Sequence, residues 1–230
     1  LRLERSSKKT SVTLVDVSCS GATIQKGILG PQLRGMKSQI EAVNDLVKGR
    51  DIDAIVMSAG GNDVGFGSIL TSCALQSNCP LATTTTPPLS AYPTMQTGVQ
   101  ALTAELPTGY SLINKCFTDS TCTGAQNQSL PGLSLSPIGQ VFLNSYPDPT
   151  RSETGSTCSY LTISQEDFAW AHDTILDPSP VDPFMYRTTQ GRVVPLASGA
   201  GSLNGAIANT AQIGWKPIMG TWSETGTGST

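Results

Sequence analysis

The chain has 230 residues, 13% of them charged, and a net charge of −3. This length suits one domain with a substantial hydrophobic core, which we expect to span residues 1–230. The weak charge balance gives no electrostatic reason to expect nucleic acid or an anionic membrane surface as a partner. No apolar run approaches the ~20 residues that a transmembrane segment needs.

Apolar stretches that alternate with amphipathic ones predict an α/β protein with a parallel sheet covered by helices. In chain order, the expected strands are Val12–Val17, Ala54–Ser58, Gln140–Ser145 and Trp215–Met219. The expected helices are Leu33–Lys48, Met95–Leu106 ending before Pro107, a helix from Ser164 through Ile175, and Ser202–Ile213. Prolines concentrate between Asp177 and Gly201, which predicts a long surface loop there.

The cysteines predict an oxidised protein. The spacing of Cys73/Cys79 and of Cys116/Cys122 indicates two small loops, each closed by a local disulfide bond. Elimination then pairs Cys19 with Cys158. Disulfide bonds imply an oxidising compartment, so we expect secretion, although six reduced thiols in a cytosolic protein are the alternative. No Cys-x-x-Cys pair is present, which argues against a zinc site, and no cofactor or metal is expected.

The N-terminal residues contain no signal peptide, because Leu1–Arg5 is charged and no apolar core follows it. A secreted protein without a signal suggests that Leu1 is not the start of the gene product. The sequence also stops at Gly226–Thr230 without a further motif. We therefore expect a domain that is incomplete at both ends.

Two polar loops each follow an apolar strand-like run. Ser18-Cys19-Ser20-Gly21-Ala22-Thr23 comes after the first run, and Gly60-Gly61-Asn62-Asp63 comes after the second. In open α/β sheets, ligands sit at the carboxyl ends of the strands. A glycine N–H together with an asparagine amide suits the stabilisation of an oxyanion, although the same residue types also form ordinary turns.

Together these segments resemble blocks II and III of the SGNH (GDSL-type) hydrolases, a superfamily of esterases and lipases. Three further features are similar to its secreted actinobacterial-type branch: Gly65-Phe66 after Asp63, the Cys73/Cys79 loop, and a strand ending in Tyr146-Pro147. Phe168–Ala171 is similar to a helix of that branch, and the resemblance extends from Val12 to Trp215. It implies a three-layer α/β/α sandwich with a mainly parallel, flavodoxin-like sheet.

The resemblance also implies the chemistry of a serine ester hydrolase. Gly21 and Asn62 would hold the oxyanion, as two of three donors, while Asp63 would brace the loop. The expected substrate is a small-molecule, lipid or acetylated-carbohydrate ester, and the expected location is extracellular.

The nucleophile and the histidine–aspartate pair of that family are not identifiable in the sequence. No Gly-Asp-Ser and no Asp-x-x-His occur. Ser6 and Ser7 lie in a charged stretch, and Ser20 lacks a Gly-x-Ser-x-Gly setting, so neither position is a good nucleophile. His172 is the only histidine, and it lies in an amphipathic helix that precedes the family's usual position for the catalytic base.

Two other functions are compatible with these residues. An SGNH-fold binding or structural protein would keep the oxyanion loop without the nucleophile. A nucleotide site is the second possibility, because Gly60–Gly67 is rich in glycine. That stretch lacks the Lys-Ser/Thr of a phosphate-binding loop, which argues against it.

Overall fold

A computed structural model describes residues 11–152, 156–158, 163–177, 185–187, 193–195 and 201–219. Its α-helices are α1 (Gln39–Val47), α2 (Phe66–Leu75), α3 (Met95–Thr118), α4 (Gln165–Ala171) and α5 (Leu203–Ala208). Its strands are β1 (Ile52–Met57), β2 (Thr121–Thr123), β3 (Ser129–Pro131), β4 (Leu135–Asn144), β5 (Met185–Arg187), β6 (Val193–Pro195) and β7 (Lys216–Ile218). Short 3₁₀ turns occur at Cys79–Leu81, Leu89–Ala91, Ala125–Asn127 and Asn209–Ile213, and a π-turn follows α4 at His172–Leu176.

The main sheet is parallel and has the strand order β1-β4-β7. It confirms the α/β class and three of the expected strands, since β1, β4 and β7 overlap the apolar runs predicted for them. In the register, Ile55 pairs with Val141 and Met57 with Leu143. These side chains point to one face, where Val141 and Leu143 are buried in the hydrophobic core.

The opposite face of the main sheet, here called the outer face, is much less covered. It carries Val56, Phe142 and Lys216 in one row, and Asn144 and Ile218 in the next. Val56 is 65% exposed and Ile218 is 46% exposed. Parallel sheets are normally covered on both faces.

The prediction of a first strand at Val12–Val17 is wrong. The structure assigns this segment to no strand, and its Leu14 is 77% exposed. A strand requires a neighbour that pairs with its backbone, and the main sheet places β4, not this segment, beside β1. The apolar pattern of the segment does not indicate whether such a neighbouring strand is present.

Helix α1 begins later than expected, because Ser38 caps it. The Ser38 hydroxyl accepts from the Glu41 N–H at 3.2 Å, and the Glu41 carboxylate accepts from the Ser38 N–H at 2.9 Å. This reciprocal pair fixes the helix start at Gln39. Leu33, the expected first residue of this helix, lies before it and is 67% exposed.

Helix α3 is twice as long as expected, because it continues through Pro107 to Thr118. Proline inside a helix costs about 3 kcal/mol, since it removes one backbone hydrogen bond and crowds the preceding turn. The second half of the helix offsets this cost by burying Tyr110, Ile113 and Phe117. The rings of Tyr110 and Phe117 each lie 5.9 Å from the ring of Trp215.

The two later helices start where the sequence predicts. Ser164 caps α4 through the Asp167 N–H at 3.0 Å, and Ser202 caps α5 through the Gly205 N–H at 2.8 Å. The region from Asp177 to Gly201, expected to be a loop, contains an antiparallel pair formed by β5 and β6. The rest of that region lies outside the described residues.

Two of the three expected disulfide bonds are present, Cys73–Cys79 and Cys116–Cys122. The third, between Cys19 and Cys158, is absent, and both residues carry free thiols. Cys19 lies exposed, whereas the Cys158 N–H donates to the Thr150 carbonyl at 2.8 Å in a separate local loop. Elimination was a poor guide, because it ignored whether tertiary contact brings the two residues together.

Candidate functional site

The loop after β1 is a tight turn built on glycine. Gly60 has φ +109°, and a Cβ atom there would lie 2.5 Å from the Tyr110 hydroxyl. A Cβ atom on Gly61 would lie 2.5 Å from the Tyr146 ring. The Val64 N–H donates to the Gly60 carbonyl at 3.0 Å and closes the turn. Both glycines are therefore required by close packing, and Gly60 also by its backbone conformation.

The loop of residues 18–30 forms a second turn, which contains Gly21 at φ +75°. The Ala22 N–H donates to the Cys19 carbonyl at 3.2 Å. The Gln32 side-chain amide donates to the Ser20 carbonyl at 2.7 Å. Gly21 is solvent-exposed, and within the described part of the chain its N–H has no acceptor.

Two long-range hydrogen bonds join these loops. The Asn62 side-chain amide donates to the Ala22 carbonyl at 2.9 Å, and the Ile24 N–H donates to the Asp63 carboxylate at 2.9 Å. Because Ala22 is the neighbour of Gly21, the Asn62 amide lies within about 10 Å of the Gly21 N–H. The structure thus brings together the two residues that the sequence singled out.

Asp63 braces the junction of the two loops. Burial raises the pKa of this carboxyl above its ordinary value, and the hydrogen bond from the Ile24 N–H opposes that rise. One carboxylate oxygen is occupied by Ile24, and the other is buried with no partner among the described residues. This arrangement fits the structural role expected for Asp63.

Tyr146 fixes the loop of Gly60 to Asp63 from the end of the neighbouring strand β4. The Gly61 N–H donates to the Tyr146 hydroxyl at 2.9 Å, and the Tyr146 ring lies 5.8 Å from that of Phe66. Tyr146 follows the carboxyl end of β4, so its side chain crosses from one strand end to the next. The sequence indicated only that a strand ends here, because no local pattern reveals a bond to Gly61.

Asn204 holds the backbone of Tyr146 in position. Its side-chain oxygen accepts from the Tyr146 N–H at 2.8 Å, and its amide donates to the Tyr146 carbonyl at 3.0 Å. The same amide donates to the Leu176 carbonyl at 2.8 Å. Asn204 is 3% exposed, and a buried amide with all of these bonds is a strong positional constraint. Sequence reasoning missed this residue.

Tyr110 supports the residue that precedes the loop of Gly60 to Asp63. Its hydroxyl donates to the Ala59 carbonyl at 3.0 Å, next to Gly60. Burial raises the pKa of Tyr110 far above its ordinary value, and the charges of Tyr146 and Asp63 add to that rise. Tyr110 therefore stays protonated and acts as a fixed hydrogen-bond donor.

An aspartate–histidine pair lies just beyond Tyr146. His172 Nδ1 and a carboxylate oxygen of Asp148 are 2.5 Å apart, and the other Asp148 oxygen accepts from the Thr150 N–H at 2.9 Å. Burial alone would raise the pKa of Asp148, but the hydrogen bonds from His172 and Thr150 outweigh it and lower the pKa. In the described ranges no hydrogen bond joins His172 to Gly21 or Asn62.

Among the described residues, the serines considered as nucleophiles form no catalytic pair with a histidine. Ser6 and Ser7 lie outside the described residues. Ser20 is exposed, its carbonyl accepts from Gln32, and no bond links it to His172 among the residues described. In that same part of the chain, no cluster of histidine, cysteine or carboxylate side chains could hold a metal ion.

A polar cavity of about 320 Å³ lies away from these loops. It is lined by the end of α3 and by the β2–β3 hairpin, including Lys115, Asp119 and Gln128. Its lining contains no nucleophile–base pair and neither Gly21 nor Asn62. The cavity therefore gives no support to an ester-hydrolase site.

Across the described ranges, no helix has both the length and the apolar character required to cross a membrane. Comparison with known proteins returns no matching family, no matching curated protein and no matching solved structure.

Proposed function

We propose that this chain carries the oxyanion-binding part of a carboxylic-ester hydrolase of the SGNH type. The observation that supports the proposal best is the pair of hydrogen bonds between the loop of Gly21 and the loop of Asn62. Residues 39 and 40 positions apart in the chain meet at this point, beside the carboxyl end of β1. A preformed arrangement of donors is what stabilises developing negative charge without reorganisation in the transition state.

The donors are available for this role. The Asn62 amide has two hydrogens, of which the Ala22 carbonyl accepts one. Asn62 and Gly21 are both solvent-exposed, so a carbonyl oxygen can approach them. In the proposed reaction a serine hydroxyl gives its proton to a general base as its oxygen attacks the ester carbonyl, and the carbonyl π electrons move to oxygen, where Gly21 and Asn62 hold the oxyanion. Return of these electrons breaks the bond to the alcohol, which leaves with the proton held by the base.

The surrounding contacts explain why these donors stay in place. Tyr146, Tyr110 and Asp63 each bond the backbone of one of the two loops. Such support is what a catalytic hydrogen-bond donor needs, because a donor that must move first loses part of its effect.

Secretion is part of the proposal. The disulfide bonds Cys73–Cys79 and Cys116–Cys122 are compatible with an oxidising, extracellular environment. Cys19 and Cys158 carry free thiols, so four of the six cysteines are oxidised.

The second candidate function is a binding or structural protein built on the same fold. It is favoured by the absence of Gly-Asp-Ser from the sequence and by His172, whose one described side-chain bond is to Asp148. A fluorophosphonate probe labels only an activated serine, so labelling of one serine in the full-length protein supports the hydrolase. Full-length protein that stays unlabelled supports the binding or structural protein.

The oxyanion site itself is tested by the product of ester hydrolysis, a carboxylate. Titration of ¹⁵N-labelled protein with butyrate is expected to shift the Gly21 amide and the Asn62 side-chain signals. In Asn62→Ala the affinity for butyrate, measured from the titration of the Gly21 signal, is expected to fall at least about tenfold, because one of two hydrogen bonds to the carboxylate is lost. The matched control is Asn209→Ala, which removes an exposed asparagine of the 3₁₀ turn after α5. Equal shifts in both variants would contradict the proposal.

A further inference from the structure

The stretch of sequence that follows the loop of Gly60 to Asp63 carries no charge. Between Asp63 and Glu105, residues 64–104 include no aspartate, glutamate, lysine, arginine or histidine. This stretch forms α2, two 3₁₀ turns and the first part of α3, and many of its side chains are exposed. Since charged side chains normally lie on the surface, it gives the protein an exposed area with no charge of its own.

Helix α2 is apolar on its solvent side as well as on its core side. Ile69 and Cys73 are buried, whereas Leu70 is 44% exposed and Leu75 is 78% exposed. Helical spacing places five residues on the solvent side: Gly67, Leu70, Thr71, Ala74 and Leu75. A helix that is apolar all round is normally covered by a partner, and the solvent side of α2 has none in the described part of the chain.

The one hydroxyl on the solvent side of α2 is satisfied within the helix. Thr71 Oγ1 donates to the Gly67 carbonyl at 3.0 Å. A Cβ atom on Gly67 would have no heavy atom within 4 Å, so open space lies beside the helix at that position. The solvent side of α2 therefore offers hydrocarbon groups and no side-chain donor that lacks an acceptor.

A third exposed leucine lies on the 3₁₀ turn that adjoins α2. Leu81 is 59% exposed. The disulfide bond Cys73–Cys79 joins its turn to α2, and the Cys79 N–H donates to the buried Asp167 carboxylate at 2.7 Å. These bonds hold the turn in place. The solvent side of α2 and Leu81 together are here called the leucine surface.

We infer that the leucine surface docks the protein on an electrically neutral lipid surface, with its leucine side chains among the acyl chains. The transfer of exposed apolar side chains from water into hydrocarbon drives such binding. The lipid is zwitterionic or uncharged, because the leucine surface has no lysine or arginine to attract anionic headgroups and the chain has a net charge of −3. This inference rests on α2 and its adjoining turn, and it does not depend on the proposed ester chemistry.

The composition of the leucine surface favours hydrocarbon over a protein partner. Protein interfaces are enriched in aromatic residues and arginine and have a polar rim, and the solvent side of α2 has neither. Hydrocarbon tolerates no unpaired polar group and disfavours charge. The internal bond of Thr71 and the absence of charge from residues 64–104 meet both demands.

The length and position of α2 fit a helix that lies in the plane of the lipid surface. Its 10 residues are too few to span a bilayer, which needs about 20. It starts at Phe66, whose N–H donates to the Gly61 carbonyl at 2.9 Å. The leucine surface therefore adjoins the loop of Gly60 to Asp63.

Flotation of the full chain with phosphatidylcholine vesicles tests the inference. The parent chain is expected to float with the vesicles, and Leu75→Gln is expected to weaken this binding about tenfold. The matched control is Ile138→Gln, because Ile138 is 77% exposed and lies near the amino end of β4, away from α2. Both variants keep the net charge, and unchanged urea midpoints show that they fold. No binding by the parent chain, or equal binding by the two variants, overturns the inference.

Two further measurements separate the neutral lipid from other partners. Partial replacement of phosphatidylcholine by phosphatidylglycerol is expected to leave binding no stronger, and tighter binding to the anionic vesicles would contradict a neutral lipid. Sedimentation velocity without vesicles tests a second copy of the chain. A dimer that Leu75→Gln dissociates, together with a parent chain that does not float, would assign the leucine surface to that second copy and overturn the inference.

A polarity-sensitive fluorophore locates the contact on the protein. It is attached at Thr71→Cys, or at Thr108→Cys on the exposed side of α3, in a chain that carries Cys19→Ser and Cys158→Ser. Phosphatidylcholine vesicles are expected to shift the emission to shorter wavelength at position 71 and not at position 108. A shift at position 108 alone, or an equal shift at both, would place the contact elsewhere and overturn the inference.

Discussion

At the scale of single residues, a few side chains fix the loop of Gly60 to Asp63. Tyr146 accepts from the Gly61 N–H, Tyr110 donates to the Ala59 carbonyl just before the loop, and Asn204 holds the backbone of Tyr146 in turn. These contacts leave the loop little room, so small substitutions there have measurable consequences.

Gly61→Ala is expected to lower the free energy of unfolding by about 1–3 kcal/mol, because the added methyl would lie 2.5 Å from the Tyr146 ring. The control is Gly67→Ala, where no heavy atom lies within 4 Å of the added Cβ atom. That variant is expected to gain up to about 1 kcal/mol from helix propensity. Urea unfolding of both measures the difference, and an unchanged midpoint for Gly61→Ala would show that Tyr146 moves aside freely.

The lowered pKa of Asp148 makes stability depend on pH. A carboxylate of this kind stabilises the folded chain above its unfolded pKa, about 4, and the contribution is lost as pH falls below that value. Asp148→Asn is expected to cost about 1–2 kcal/mol at pH 7 and to lose less stability than the parent on acidification.

Urea unfolding at a series of pH values checks this prediction for Asp148. Asp173→Asn is the matched control, because Asp173 is exposed and adjoins His172 in sequence. An identical pH dependence for Asp148→Asn and the parent would be evidence against the Asp148–His172 bond.

At the scale of elements, capping and packing decide where helices begin and end. Ser38, Ser164 and Ser202 each start a helix through a hydrogen bond to a nearby N–H. Helix α3 is different, because its buried face carries it through Pro107.

Pro107→Ala is therefore expected to stabilise the protein by about 1–3 kcal/mol, since it restores a backbone N–H inside α3. Thr108→Ala, at the next exposed position of the same helix, gains helix propensity alone and is expected to add no more than about 0.5 kcal/mol. Thermal unfolding compares the two variants. If both raise the midpoint equally, the proline does not strain the helix.

At the scale of the whole molecule, covalent bonds close two local loops and leave two thiols free. Each disulfide spans a sequence separation of 6 residues. Closing so short a loop restricts the unfolded chain and stabilises the fold by about 2 kcal/mol.

Peptide mapping without reduction is expected to find bonds at Cys73–Cys79 and Cys116–Cys122, with Cys19 and Cys158 alkylated. Cys19 is expected to react first, because it is exposed. Cys116→Ala/Cys122→Ala is expected to lose about 2 kcal/mol of stability, whereas Cys19→Ser is expected to change it by less than about 0.5 kcal/mol. A Cys19–Cys158 bond in the map would contradict the structure.

The sequence alone determined the features that depend on near neighbours. The apolar runs of β1, β4 and β7, the capped starts of α4 and α5 and the two short disulfide loops all follow from residues a few positions apart. The glycine and asparagine loops were also visible, because each directly follows an apolar run.

Tertiary structure decided what depends on distant partners. The bond from Gly61 to Tyr146 spans 85 residues, and that from Tyr146 to Asn204 spans 58. Distant partners also decide that α3 continues through Pro107 and that Val12–Val17 does not join the sheet. A helix or strand is kept by the surface it packs against, and the local residue pattern does not specify that surface.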